Sequence, residues 1–554
     1  MLQLPETEHA DREAEADVIR AFVALDPIAG TQMGLSGSHD GRLPATDLAE
    51  RRLLVENLER VTAGLGVAGH TLPGDRLDGE VARAGARGMA LTESALSPLE
   101  RNPGWYVSTA VEGLYGLFLR TDLTREQLAE YALARLSGLT SHFAAAQRNL
   151  TRPAAILVEN ALGDAQGALD FCDLDLRREL SALGSTSAAV ALDRALADGI
   201  EALKGYRAFL EGYRNDAGGE FSAGRDAFDA LLHESYLLPL SAAGLVDLGH
   251  ELVEALSAEL VSRSKAAFGT PNWWEPIAEL SEQLPPAYAL IDRYERLVDR
   301  VSRFVAERQL LDLSLVGPVE VVVTPPFART NLPFAAYVGA PPFGSGRAQF
   351  WVTPIDETQS PQGQRLALSQ HHLGRMLVAC IHEATPGHHV EFSLSRAIKR
   401  PLRHLFRSTI FTEGWAFYCE GLVARSGLLA QFPESAALGL AFLRDELWRA
   451  LRILIDVGLH CFQMTPESAV RLLTEHHIMS LAGAQAEVSY SCGAPTQPLS
   501  YMVGRRGFES IINGIRSDPA NVGQSLSETH AKVLSHGPIP LNVLVSQLSL
   551  SGSC

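Results

Sequence analysis

The sequence has no cysteine pair at the two-residue spacing of a zinc knuckle or redox motif. Its six cysteines (Cys172, Cys380, Cys419, Cys461, Cys492 and Cys554) are scattered. That absence argues against a disulfide framework and leaves reduced, mostly buried thiols, as in a cytoplasmic protein. Positive charge is also short: 47 Lys and Arg stand against 65 Asp and Glu, a net charge of -18. A nucleic-acid partner needs a positive surface, so none is expected. No run of eighteen apolar residues occurs, so no membrane span is expected. The segment Met1 to His9 has no basic stretch followed by an apolar core, so no signal peptide is read there and the expected location is cytoplasmic. None of these features fixes an oligomeric state.

What is present is ample apolar material, 46% of a chain of 554 residues. That length exceeds what one hydrophobic core serves, so two lobes, or one large domain with an inserted cap, are expected. Residues 1–314 read as a helical N-terminal lobe, with Leu, Val and Ala recurring at helical spacing over Asp47 to Val67, Leu123 to Asn149, Ala188 to Tyr213, Leu245 to Lys265 and Ala287 to Leu310. Asn215 to Gly219 reads as a turn. The pattern changes near residue 315. Val319 to Thr324, β-branched and bounded by prolines, reads as a strand, and Phe334 to Val338 and Ala348 to Thr353 read as two more. Helical patterning returns after Pro361. The expected fold is therefore mainly α, with a small β-sheet at about 319–353 inside a second lobe, 315–554.

That second lobe carries His382-Glu383-Ala384-Thr385-Pro386-Gly387-His388-His389. A catalytic zinc takes three ligands from His, Glu, Asp or Cys and leaves a position for water. The usual helical solution, His-Glu-x-x-His, puts two histidines four residues apart on one face. Here position 386 is proline, and the next histidines come six and seven residues after His382. In a regular helix six residues turn about 600°, to the wrong face, and seven return to that face roughly 10 Å further along. Neither could share an ion with His382. Pro386 cannot bond to the carbonyl of His382, and Gly387 permits an unusual turn. The segment is thus either a broken metal helix, with His388 or His389 folded back, or a helix end with incidental histidines.

Three further segments bear on that choice. Glu413 and Glu420, seven apart, share one face of an apolar stretch, Phe411 to Glu420, where a buried carboxylate needs a metal, Arg or His partner. Asp456 and His460, four apart on a helix from Leu443 to Gln463, form either an ion pair or a pair that orients a ligand. Tyr490 and Tyr501 bracket the loop Cys492 to Pro498, and a tyrosine there is either half-buried core or a donor to an oxyanion. His371 and His372 lie too far from His382 along a helix to join it.

These segments resemble the bacterial family catalogued as domain of unknown function 885. The resemblance rests on His382 to His389, Glu413 to Glu420, Asp456 with His460, and Pro495, Gln497, Ser500, Tyr501 and Gly504. It extends from Asp26-Pro27 to Gly537-Pro538. Ser489, Thr496 and Met502 stand where the family tends to have Arg, Gly and Lys. More distantly, the pattern is similar to thimet-oligopeptidase-like zinc peptidases. That resemblance implies a two-lobed helical metallopeptidase-like fold, His382, His388 and Glu413 as metal ligands, Glu383 as general base, and Tyr501 as oxyanion donor. His389 remains the alternate ligand, with Glu420 and Asp456 behind the ligands and His460 at the active site. The expected activity is hydrolysis of an amide in a small peptide-like substrate. The expected cofactor is one Zn2+, although a His/His/Glu set also accepts Mn2+ or Co2+. The alternatives are a metal-dependent enzyme acting on a non-peptide amide or ester, or by a non-hydrolytic reaction, and a non-catalytic binding protein.

Overall fold

A computed structural model describes residues 2–65, 73–183, 186–214, 218–325, 328–329, 332 and 334–550. Cys554, the expected turn at Asn215 to Ala217 and the expected helix end at Val67 lie outside them. The fold is mainly helical with one three-stranded sheet. Helix α1 (Arg12–Leu25) leads to α2 (Leu48–Ala63) and α3 (Pro73–Leu91). The Asp47 side chain fixes the start of α2 by accepting from the N–H groups of Ala49 and Glu50. Next come α4 (Pro103–Phe118), α5 (Arg125–Asn149), α6 (Ala155–Phe171) and α7 (Thr186–Tyr213). Two long helices, α8 (Ala242–Phe268) and α9 (Leu290–Glu307), precede the sheet.

The apolar core falls into two clusters. Leu99 to Leu210 contribute one, built from α4 to α7 around Tyr106, Phe143 and Tyr206. The larger cluster joins α1 to α3 with residues 228–545, and so runs across residue 314. Each fully buried Leu, Val or Phe adds about 1.5–3 kcal/mol. The helical period alone cannot assign a helix to one cluster or the other, because it reports a buried face and not its partner.

The strands are β1 (Glu320–Val323), β2 (Ala335–Val338) and β3 (Gln349–Val352). Their order is β1-β3-β2, with β1 parallel and β2 antiparallel to β3, and Phe350 is paired with both Val321 and Tyr337. In the fold the third is central, with both of its edges taken, and β2 is the edge that borders the His-Glu segment.

Six elements then carry the site: α10 (Leu373–Ala379), α11 (His388–Ser395), α12 (Thr409–Arg425), α13 (Ser435–Cys461), α14 (Leu481–Gly493) and α15 (Ser500–Ser517). Helices α12 and α15 pack at a glycine crossing. A Cβ on Gly414 would overlap Gly504, and one on Gly504 would overlap the Ile410 carbonyl. Trp415, Phe411 and Phe508 fill the space beside it. Small residues at the crossing let the helix bearing Glu413 approach the helix bearing Tyr501. No helix among the described residues is long and apolar enough to cross a membrane.

Candidate metal centre

Helix α10 does not continue through His382. The turn Cys380–Ala384 is widened to π geometry, with Thr385 N–H bonded to the Cys380 carbonyl at 3.1 Å and Gly387 N–H to the Ile381 carbonyl at 3.0 Å. The Thr385-Pro386 peptide is cis. Gly387 then passes so close to the preceding turn that a Cβ would overlap the carbonyl oxygen of His382. The chain restarts as α11 with His388 in its first turn. Trp415 Nε1–H donates to the Pro386 carbonyl at 3.0 Å, tying the break to α12. One short segment of α12 thus supplies the carboxylate (Glu413), the close crossing (Gly414) and the clamp on the break (Trp415).

This break brings together three sequence-expected residues. One ligand atom from each of His382, His388 and Glu413 lies within 4.8 Å of the others. Glu413 Oε2 is 3.5 Å from Nε2 of His382 and 3.5 Å from Nε2 of His388. Two donors each about 2.1 Å from a tetrahedral ion stand about 3.4 Å apart, so these spacings fit a zinc-sized ion. Glu413 Oε2 is buried and makes no hydrogen bond, a position whose desolvation cost a cation would offset. The Glu413 side chain is still 18% exposed, so the cluster is reachable from one side.

The surroundings fix the orientation of the ligands. His382 Nδ1 is 2.7 Å from Glu420 Oε1, so Nδ1–H donates and Nε2 faces Glu413. Burial would depress the His382 pKa, but Glu413 and Glu420 outweigh it and push it up to about 10. Burial works to raise Glu413, but the two histidines hold its carboxylate well below the usual range. Burial raises Glu420. Glu383 Oε2 accepts from Tyr337 N–H on the edge of β2 at 3.0 Å. Tyr501 stacks on His382, with ring centroids 5.9 Å apart. Burial, then Glu413, push its pKa up to about 12, so it keeps its O–H at neutral pH.

The remaining candidates sit elsewhere. His389 turns away from the cluster: Nε2–H donates to the Gly317 carbonyl at 2.7 Å, and Nδ1 accepts from the Tyr337 hydroxyl at 3.3 Å. Of the two adjacent histidines, His388 is the one brought to His382. His460 is also occupied, donating from Nε2 to the Ser491 carbonyl at 2.9 Å and accepting Ala223 N–H at Nδ1, 3.3 Å away. It therefore ties α13 to α14 and does not join the ligands. Asp456 accepts the N–H groups of Thr496 and Leu499, at 3.1 and 3.3 Å, and so shapes the loop before Tyr501. Its pKa is pushed up to about 8 by burial, against those two donors.

Tyr337 and Arg449 were missed in the sequence. Tyr337 acts through its backbone, which no motif records. Arg449 had a signal: Arg449, Arg452 and Asp456 occupy positions i, i+3 and i+7 of one helix, α13.

A structure from Shewanella oneidensis, a candidate lipoprotein of unknown function, shares the fold with a TM-score of 0.77 at 19% identity, covering 96% of this chain and 99% of that one. A candidate lipoprotein from Colwellia psychrerythraea gives 0.78 at 18% identity, covering 97% and 98%. No curated protein matches this chain. The family described as bacterial protein of unknown function, DUF885, matches residues 27–548, and the chain belongs to it.

Proposed function

We propose that this protein is a zinc-dependent hydrolase that cleaves an amide bond in a short peptide or peptide-like metabolite. The observation that carries the reading is Glu413 Oε2, buried without a hydrogen bond and 3.5 Å from a nitrogen of each of two histidines. The two-lobed, metallopeptidase-like reading of the fold rests on that cluster standing beside a sheet edge and two apolar cores. A cytoplasmic location rests on the free, mostly buried cysteines. The net charge of -18 supports a small substrate over a nucleic acid.

Zinc, held by His382, His388 and Glu413, would supply a Lewis acid that lowers the pKa of water; manganese or cobalt suits the same donors. Glu383 takes the proton of the attacking water and returns it to the leaving amine. The Tyr337 N–H aims the Glu383 carboxylate for that transfer. Glu420 holds the His382 tautomer. Tyr501, protonated at neutral pH, offers its hydroxyl to the developing oxyanion. The edge of β2 is where an extended substrate would pair.

A second reading, a metal-dependent enzyme acting on a non-peptide amide or ester, or by a non-hydrolytic reaction, is favoured by Ser489, Thr496 and Met502. Thr496 in particular sits at φ 71°, where the family pattern has glycine. A binding protein without catalysis is disfavoured by Glu383 standing beside a complete ligand set. The test is metal analysis of the purified protein and of one variant, with hydrolysis followed on a peptide library. The protein should carry about one equivalent of metal, and Glu383→Gln should keep it while losing turnover. Less than about half an equivalent under non-chelating conditions counts against the site, and a fully active Glu383→Gln removes the general-base role.

A further inference from the structure

We infer that Arg449 forms a subsite for a substrate carboxylate, so that the enzyme takes peptides with a free C-terminus one or two residues beyond the scissile bond. The inference rests on the hydrolase reading above and adds the substrate class.

The argument starts from charge. Arg449 and Arg452 sit one turn apart on α13, and both guanidinium groups lie over the Tyr501 ring, at 4.4 and 4.9 Å from its centroid. Their partners differ. Arg452 is a bidentate partner of Glu487, at 2.5 and 2.8 Å. Arg449 makes no ion pair or hydrogen bond among the described residues. Its Nε and Nη1 are buried without partners, and so is the neighbouring Trp448 Nε1. A planar fork of donors without an acceptor matches a carboxylate in geometry and charge. Aromatic faces hold the fork in place, with Trp448 at 4.0 Å and Tyr501 at 4.4 Å. Arg449 is itself half-buried, so an incoming ligand can reach it.

Position relates this fork to the reaction. Tyr501 touches both partners, stacking on His382 with centroids 5.9 Å apart and lying under Arg449. The guanidinium thus lies one aromatic stack from a proposed metal ligand. An extended chain advances about 3.3–3.6 Å per residue, so a carboxylate one or two residues beyond a scissile bond at the cluster is the substrate group of matching short reach. Ser489, by contrast, is turned away from this role: its hydroxyl donates to Asn160 Oδ1 on α6 and its carbonyl accepts from Asn160 Nδ2 at 3.1 Å.

The test uses the zinc-loaded Glu383→Gln protein, which binds without turnover, and two matched tripeptide libraries, one with free C-termini and one with C-terminal amides. Affinity selection read by mass spectrometry should favour the acids by tenfold or more. Arg449→Gln in the same background should abolish the preference at unchanged zinc content. Arg449→Lys, which keeps the charge and most of the packing but not the fork, should retain a reduced preference and guards against a folding defect. Equal capture of acids and amides, or an acid preference that survives Arg449→Gln, overturns the inference and leaves the hydrolase reading in place. Acid preference with no hydrolysis by the wild-type protein overturns the hydrolase reading alone. No capture from either library overturns both.

Discussion

Among the described residues two clusters bring histidine and carboxylate groups to metal-binding spacing: His382, His388 and Glu413, and His9, Asp75 and Asp78. They meet the same electrostatic problem differently. Buried carboxylates need a compensating charge. In the second cluster arginine provides it. Arg400 reaches Asp75 at 2.7 Å and Asp78 at 3.1 Å, and Arg403 reaches Asp78 at 2.6 Å. These pairs clamp α3 to the turn before α12. In the first cluster no arginine among the described residues pairs with Glu413, although Arg407 pairs with the buried Glu391 at 2.6 Å. What separates the two is that the first cluster compensates its carboxylate with histidine, which a metal can deprotonate, and the second with permanently charged arginine; ligand spacing alone does not distinguish them.

The largest expected effect breaks the comparison in both directions. His388→Ala removes a proposed ligand. Bound zinc should fall from about one equivalent to near zero and turnover by about a thousandfold or more, roughly 4 kcal/mol of barrier. Asp78→Ala should do the reverse. It leaves Arg403 buried without its carboxylate while Arg400 keeps Asp75, which costs about 3–5 kcal/mol of stability in urea unfolding. Its zinc content should not change. Zinc lost from Asp78→Ala, or retained by His388→Ala, would collapse the distinction.

Much of this contrast was legible in the sequence on one side only. The metal side was readable because its residues are close in sequence and chemically odd: proline and glycine inside a histidine-bearing helix, and a carboxylate in an apolar run. The spacing defect at Pro386 predicted the break, and the overlap of any Cβ at Gly387 with the His382 carbonyl shows why glycine stands there. The choice between His388 and His389 was not readable, because it depends on the Gly317 carbonyl and the Tyr337 hydroxyl, about seventy and fifty residues away. The arginine clamp was invisible, since Asp75 and Arg400 are 325 positions apart and each looks like an ordinary surface charge. Asp456 and His460 were read as a pair, yet their atoms are 3.9 Å apart and each is spent on backbone groups. Helices and strands were legible from periodicity. The division of the core into two clusters was not, because it is set by long-range packing.

A smaller effect sharpens the comparison inside the metal site. Glu420 accepts from His382 Nδ1 and fixes the ring as the arginines fix Asp75 and Asp78. Glu420→Gln keeps the volume and loses the charge. Zinc affinity should weaken about 10- to 100-fold, with the fold retained. Competition with a chromogenic chelator measures it. An unchanged affinity would make Glu420 a packing residue, and the His382 tautomer would then need another cause.

The subtlest effect is in the pH dependence, where His382 and three core histidines have opposite signs. His382 is pushed up to about 10 by Glu413 and Glu420 against its burial, from about 6.5 when unfolded. In zinc-free protein its contribution to stability is therefore fully present below pH 6.5 and is lost as the pH rises toward 10. Zinc must displace that proton, so its apparent affinity should increase about tenfold per pH unit between pH 7 and 9. His142, His460 and His530 are each lowered to about 4 by burial, with backbone hydrogen bonds opposing more weakly. They are neutral when folded. Their contribution is fully present above pH 6.5 and is lost as the pH falls from 6.5 toward 4, with zinc or without it. Thermal melts at pH 5 to 9, with and without zinc, separate the two. The zinc-induced rise in Tm should grow with pH in the wild-type protein and in Asp75→Asn alike. A zinc effect that is flat across that range would mean that no proton leaves His382, and the ion would then have to bind elsewhere than between His382, His388 and Glu413.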